Sequence, residues 1–226
     1  HLDINTPLNA ANPGPGALPP RRPLPNERVV VSAMNGATAT YHAFTVKARK
    51  EFSDGLTFIT HYTKSKSIDN SSSQLADFQN ANDVRSNKGL SGFNVSDRFV
   101  ASAVYALPFG QERKHLSKMG PVADAILGGW NLTGIFTAQS GFFNSPTAPN
   151  TIGIEAGTVR ADRIANGNLP AGERTRLRWF DTAAFVAPVG FRYGTAGRNI
   201  IEGPGLKNLD LGILKDFKIR EAQRIQ

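Results

Sequence analysis

The residues best suited to chemistry are scattered. His1, His42, His61 and His115 fall in different stretches. His42 and His61 could approach across a hairpin, but two imidazoles without a carboxylate fall short of a zinc ligand set. Asp69, Asp77, Asp83 and Asp97 are spread too widely for a calcium loop, which places several oxygen ligands at short fixed spacing. They read as solvated loop residues. Arg160, Arg163, Arg174, Arg176 and Arg178 crowd one stretch, and guanidinium groups suit phosphate or carboxylate. Asp162, Glu173 and Asp181 stand nearby as internal partners for them. "AQSG" and "GLSG" lack the G-x-S-x-G pattern of a nucleophile elbow, and the glycines of "GTAGRN" and "GPG" open no phosphate loop. No enzyme, cofactor or metal is expected.

Composition narrows the class. Hydrophobic residues make up 40% and charged residues 19% of the 226, and the balance is turn-forming and small polar residues. That mixture suits strands with one polar face. There is no cysteine, hence no disulfide framework. The formal charge of +8 comes from Lys and Arg that form no stripe with interleaved aromatics, so nucleic acid is not an expected partner. Anionic lipid or surface glycan is a better match. No apolar run reaches the ~20 residues of a membrane helix. The chain lacks an initiator Met and stops on "KIREAQRIQ" inside an apparent strand, so both ends are expected to be truncated.

The elements follow from alternation. Residues 1–38 read as a Pro-rich loop, carrying half of the fourteen prolines, with a short strand in "ERVVVSAMNG". In "TYHAFTVKARKEF", Phe44, Val46 and Phe52 share one face, and Thr45, Lys47, Arg49 and Glu51 the other. After the Ser53-Asp54-Gly55 turn, Leu56, Phe58 and Tyr62 return on the apolar parity, with Thr57 opposite. "DRFVASAVYALPF" puts Phe99 and Tyr105 on one face. "WNLTGIFTAQSG" opposes Trp130, Leu132 and Phe136 to Asn131, Thr133 and Thr137. "LKNLDLGILKDF" opposes Leu209, Leu211, Ile213 and Phe217 to Asn208 and Asp210. A short helical turn is expected at "PVADAIL". Residues 68–96 and 141–205 form long connections.

Two architectures would use such strands. A soluble β-sandwich, binding glycans or forming a surface layer, buries the apolar faces between two sheets with strands of ~5–6 residues. A transmembrane barrel turns them to lipid and needs longer strands. The strands here have about twelve residues, with aromatics near their ends, as at a membrane interface. Short and long connections also alternate, as in outer-membrane barrels, where the long loops are extracellular.

These segments, from "YHAFTVKARKEFSDGLTFITHYTKSKSIDN" through "DRFVASAVYALPFG", "ILGGWNLTGIFTAQSG" and "RWFDTAAFVAP" to "GTAGRNIIEGPGLKNLDLGILKDFKI", resemble the C-terminal barrel of TonB-dependent receptor-like outer-membrane proteins. The nearest type is the Oar-like group, in which a carboxypeptidase-regulatory-like domain precedes plug and barrel. The resemblance implies an all-β fold: an antiparallel transmembrane segment of about six to eight strands, within residues 39–226, from a 22-stranded barrel. It implies location in the bacterial outer membrane and contact with membrane lipid and lipopolysaccharide. It also implies a plug and TonB as partners outside this chain, and uptake or surface binding of an unidentified extracellular ligand. A surface or adhesion barrel without transport is the other function it allows. Phe44, Val46, Phe52, Leu56, Phe58, Tyr62, Phe99, Tyr105, Trp130, Leu132, Phe136, Leu209, Leu211, Ile213 and Phe217 are then expected to face lipid. Thr45, Lys47, Arg49, Glu51, Thr57, Asn131, Thr133, Thr137, Asn208 and Asp210 are expected to face the lumen. Lys64 departs from the pattern, which favours an aromatic there.

Overall fold

The computed structural model describes residues 3–53, 55–73, 78–111, 113–220 and 223–225, so Asp54 of the expected turn and Asp77 lie outside the described residues. The chain runs through β1 (Asp3–Leu8), β2 (Val30–Asn35), β3 (Ala39–Ser53), β4 (Leu56–Asp69), β5 (Gly89–Leu90), β6 (Asp97–Ala106), the helix α1 (Pro121–Leu127) and β7 (Trp130–Gln139). There follow β8 (Phe143–Asn144), β9 (Asp162–Arg163), β10 (Phe185–Val186), β11 (Ile201–Glu202), β12 (Leu206–Lys215), β13 (Phe217–Arg220) and β14 (Gln223–Ile225). Two compact units result. One holds residues 44–64, 97–140 and 205–226, and the other 1–43, 65–96 and 141–204.

The first unit is a wall. Its long strands lie in the order β12-β7-β6-β4-β3, and the described pairings are antiparallel between chain neighbours. Because direction alternates, the connections 54–55 and 107–129 leave from one end of the sheet and the long ones from the other. Glycine shapes the short-turn end. Gly55 has φ 81°, and a Cβ there would lie 2.6 Å from the Ala106 carbonyl oxygen. Gly129 has φ 73°, and its Cβ would lie 2.4 Å from the Asp216 carbonyl oxygen. Only glycine meets both demands without strain. The sheet is open, with β3 and β12 as its edges.

The wall has almost no interior of its own. Among its described residues Ala106 is the only buried hydrophobic. A sandwich of two packed sheets would bury one whole face of every strand.

The second unit, made of the long connections and the N-terminal hairpin β1–β2, does have a core. Ile152, Ile154 and Val159 cluster there, joined by Ala148 and Tyr193, and Phe78 is fully buried elsewhere in the unit. The Pro-rich stretch is ordered: Arg21 donates to the carbonyls of Asn12 and, at 2.8 Å, Gly153. Strand β1 is an addition to the sequence reading, which placed 3–8 in loop. DINTPL carries no clear alternation, and its pairing with β2 supplies the order.

Phe217 is corrected in one respect. It was expected to continue the run of Leu209, Leu211 and Ile213, but β12 ends at Lys215, opposite Trp130. The Asp216 N–H donates to the Gly129 carbonyl at 2.8 Å, and Phe217 opens the next strand.

Candidate functional site

The candidate site is the pair of faces of the wall. Residues directly opposite in an antiparallel pair share a face, so the registers fix the partition. Leu56, Tyr105, Leu132 and Ile213 form one transverse row. Phe58, Ala103, Gly134 and Leu211 form the next, then Thr60, Ala101, Phe136 and Leu209, then Tyr62, Phe99, Ala138 and Lys207. On β3 the hydroxyls of Thr45 and Thr63 meet at 3.0 Å, so Thr45 shares the face of Thr63. Phe44, Val46 and Phe52 therefore stand with Tyr62 on the apolar face. Every residue expected on that face within β3, β4, β6, β7 and β12 is gathered there.

This face is uncovered. Phe44 and Phe52 are each 68% exposed, Leu211 75% and Ile213 67%. Charge closes the band at both ends. Toward the long connections, Lys64 stands opposite Asp97 and its Nζ lies 2.9 Å from the carboxylate, which also accepts the Tyr62 hydroxyl. Lys64 thus replaces the expected aromatic with a pair. Toward the short turns, Lys215 Nζ lies 4.7 Å from the Trp130 ring centroid and 5.2 Å from that of Phe217, both cation–π contacts. Lys50 shares the apolar parity near the Phe52 end, where a long aliphatic stem can carry its charge outward. The ten residues of β6 extend over ~34 Å at ~3.4 Å per residue, or ~26 Å at a tilt of ~40°. That matches the ~25 Å apolar band of an outer-membrane barrel.

The opposite face gathers Thr57, Val104, Thr133 and Gly212, then Ile59, Ser102, Ile135 and Asp210, then His61, Val100, Thr137 and Asn208. Lys47, Arg49 and Glu51 share the parity of Thr45, and Asn131 that of Thr133. Arg49 pairs with Glu51 at 3.3 Å, and Asn208 donates to Asp210 at 2.7 Å. The face is more mixed than the sequence reading held, since Ile135 and Val104 are nearly half exposed on it. His61 lies in this face and His42 on the apolar parity, so they do not converge.

The loop unit carries polar order that the sequence did not reveal. Arg198 and Asp69 form a buried ion pair at 2.5 Å, with side chains 5% and 2% exposed. Arg198 also donates to the Ser72 hydroxyl at 2.6 Å, and that hydroxyl donates to Asp69. Asn199, the next residue, donates to the Leu90 carbonyl at 2.6 Å. No local pattern could pair residues 129 positions apart. Asp69 is therefore no solvated loop residue, while Asp83 caps the 3₁₀ turn Val84–Asn87 by accepting from the Arg85 and Ser86 N–H groups. The arginine partners are redistributed as well. Asp162 binds Arg192 at 2.5 Å, Arg174 reaches Glu202, and Arg178 keeps Asp181 at 3.9 Å.

Two ion-paired carboxylates of this unit, buried Asp162 and half-buried Glu155, titrate below the usual range. The Arg22 guanidinium, hydrogen-bonded to Glu155, holds its carboxyl down, as Arg192 does for Asp162. Both folded values thus lie below unfolded values of about 4. Their stabilisation is complete above that range and is lost as pH falls through the depressed values. The unit is expected to weaken below about pH 4. Trp179, whose indole N–H donates to the Glu202 carbonyl at 2.7 Å, can report it in a Trp130→Phe background. Glu155→Gln is expected to flatten the acid-side fall in the urea midpoint, and an unchanged slope would contradict this.

The chain matches the outer membrane beta barrel domain family over residues 1–226. No curated protein and no solved structure matches it.

Proposed function

The chain belongs to the family of outer membrane beta barrel domains and resides in the bacterial outer membrane, and from that premise we propose that its sheet is a stretch of wall from a TonB-dependent receptor-like barrel. The apolar face meets lipid and the mixed face lines the lumen, where water, a plug or a passing ligand satisfies Thr133, Thr137, Asn208 and Asp210. The open edges β3 and β12 pair with further strands, since unpaired N–H and C=O groups are not tolerated in hydrocarbon. The loop unit is extracellular and offers the surface for lipopolysaccharide or for a ligand taken up or held at the surface. No enzymatic step is part of this reading.

The observation that carries it is the uncovered apolar face, closed at both ends by charge and as tall as a membrane is thick. Energy coupling is tested in cells by cross-linking TonB to the full-length protein. The reading expects a cross-link that disappears when the TonB-binding segment of the protein is deleted. A protein that assembles normally and never cross-links would instead be a surface barrel without active transport. The ordered loop unit, with its own core and buried ion pair, favours ligand binding at the surface under either outcome.

A further inference from the structure

The connection between β6 and β7 holds a helix whose aliphatic side is left uncovered. On α1, Val122 and Ile126, four positions apart and hence on one side, are 76% and 63% exposed, and Leu127 beside them is 50% exposed. The polar member of the helix points the other way: the Asp124 carboxylate accepts the Gln111 N–H at 2.7 Å. No residue of α1 is buried, so in water its exposed aliphatic side contributes no hydrophobic stabilisation.

The carboxyl end of α1 is tied to the apolar face of the wall. The Trp130 indole N–H donates to the Ile126 carbonyl at 3.0 Å, and Lys215 Nζ donates to the Gly128 carbonyl at 2.5 Å. Trp130 and Lys215 stand opposite each other in the row that closes the apolar band. The connection leading into α1 is basic, with Arg113, Lys114 and Lys118. Leu116 among them is 53% exposed and held at φ 60°, a left-handed conformation rare for leucine.

We propose that residues 113–127 form an interfacial foot that lies on the phospholipid headgroup layer at the short-turn end of the wall. Val122, Ile126 and Leu127 dip into the acyl boundary, and the basic residues before them meet headgroup phosphates. This is the arrangement of an amphipathic helix lying in the interface plane. Continuity with the apolar face and the adjoining positive charge select lipid as the occupant. The inference rests on the reading that this face meets lipid.

Depth-dependent quenching tests it on the full-length protein refolded into phosphatidylcholine–phosphatidylglycerol vesicles. An environment-sensitive fluorophore is attached to Val122→Cys, Ile126→Cys or Leu211→Cys, these 226 residues having no cysteine of their own and any cysteine elsewhere in the full-length protein being replaced by serine. Heat-modifiable gel mobility verifies assembly of each variant. Labels at 122 and 126 are expected to emit blue-shifted and to be quenched several-fold better by shallow than by deep brominated lipids. The label at 211 should show the reverse order. Deep quenching at 211 with water-like emission and iodide quenching at 122 and 126 would overturn the foot and leave the wall reading standing. Deep quenching at 122 equal to that at 211 would also overturn it. No lipid quenching at 211 would bring down the wall reading and the foot with it.

Discussion

Phe136→Arg is expected to cost the protein about 2–4 kcal/mol of stability in a bilayer, the range for a charge on the lipid face of a barrel near the midplane. Phe136 stands in the row Thr60–Ala101–Phe136–Leu209, near the middle of the apolar band. Leu211→Arg, one row nearer the short turns and 75% exposed, should behave alike. Val46→Arg is expected to cost much less, about 0–1 kcal/mol, because its parity and the Thr45–Thr63 contact set it beside Tyr62 near the charged border. The neighbouring Thr137→Gln, on the other face, should stay within about 0.5 kcal/mol. Urea-dependent refolding into vesicles, read by heat-modifiable mobility, ranks the four. Equal costs for Phe136→Arg and Thr137→Gln would contradict the partition of faces.

The second large effect lies in the loop unit. Asp69→Asn leaves the Arg198 guanidinium buried without its counter-charge, which typically costs about 3–5 kcal/mol. Replacing the pair by Asp69→Leu with Arg198→Met should cost less than the single change, because no charge then remains in the interior. The wall is expected to assemble in both proteins, since Asp69 ends β4 beyond the stretch Leu56–Lys64 that pairs with β6. Urea unfolding followed by Trp179 fluorescence measures the first effect, and heat-modifiable mobility measures assembly. An Asp69→Asn protein with an unchanged midpoint would show that the pair contributes nothing.

The wall was legible because its information is local. Period-two alternation placed Phe44, Val46, Leu209 and Leu211 on one parity, and the glycine after Asp54 marked the turn that Gly55 makes at φ 81°. The PVADAIL helix was legible from its sequence too, but the direction of its aliphatic side was not. Which side of α1 turns outward depends on Gln111, Trp130 and Lys215, and no period within seven residues encodes that. The loop unit was least legible. Its fully buried Phe78 and Ile152 come from separate connections, and its ion pair joins Asp69 to Arg198. Such contacts depend on the path of the chain, so composition alone reported only polar loop. The arginine run misled for the same reason, because Asp162 found Arg192 rather than a nearer neighbour.

The central claim is that one face of the sheet meets lipid and the other does not. Spin labels placed singly at each position from Asn131 to Ala138 of β7 in the membrane-embedded protein test it most directly, by their accessibility to oxygen. The account predicts a period of two, with oxygen accessibility high at Leu132, Gly134, Phe136 and Ala138 and low at Asn131, Thr133, Ile135 and Thr137. A profile without that oscillation, or with its maxima at the threonines, would contradict it.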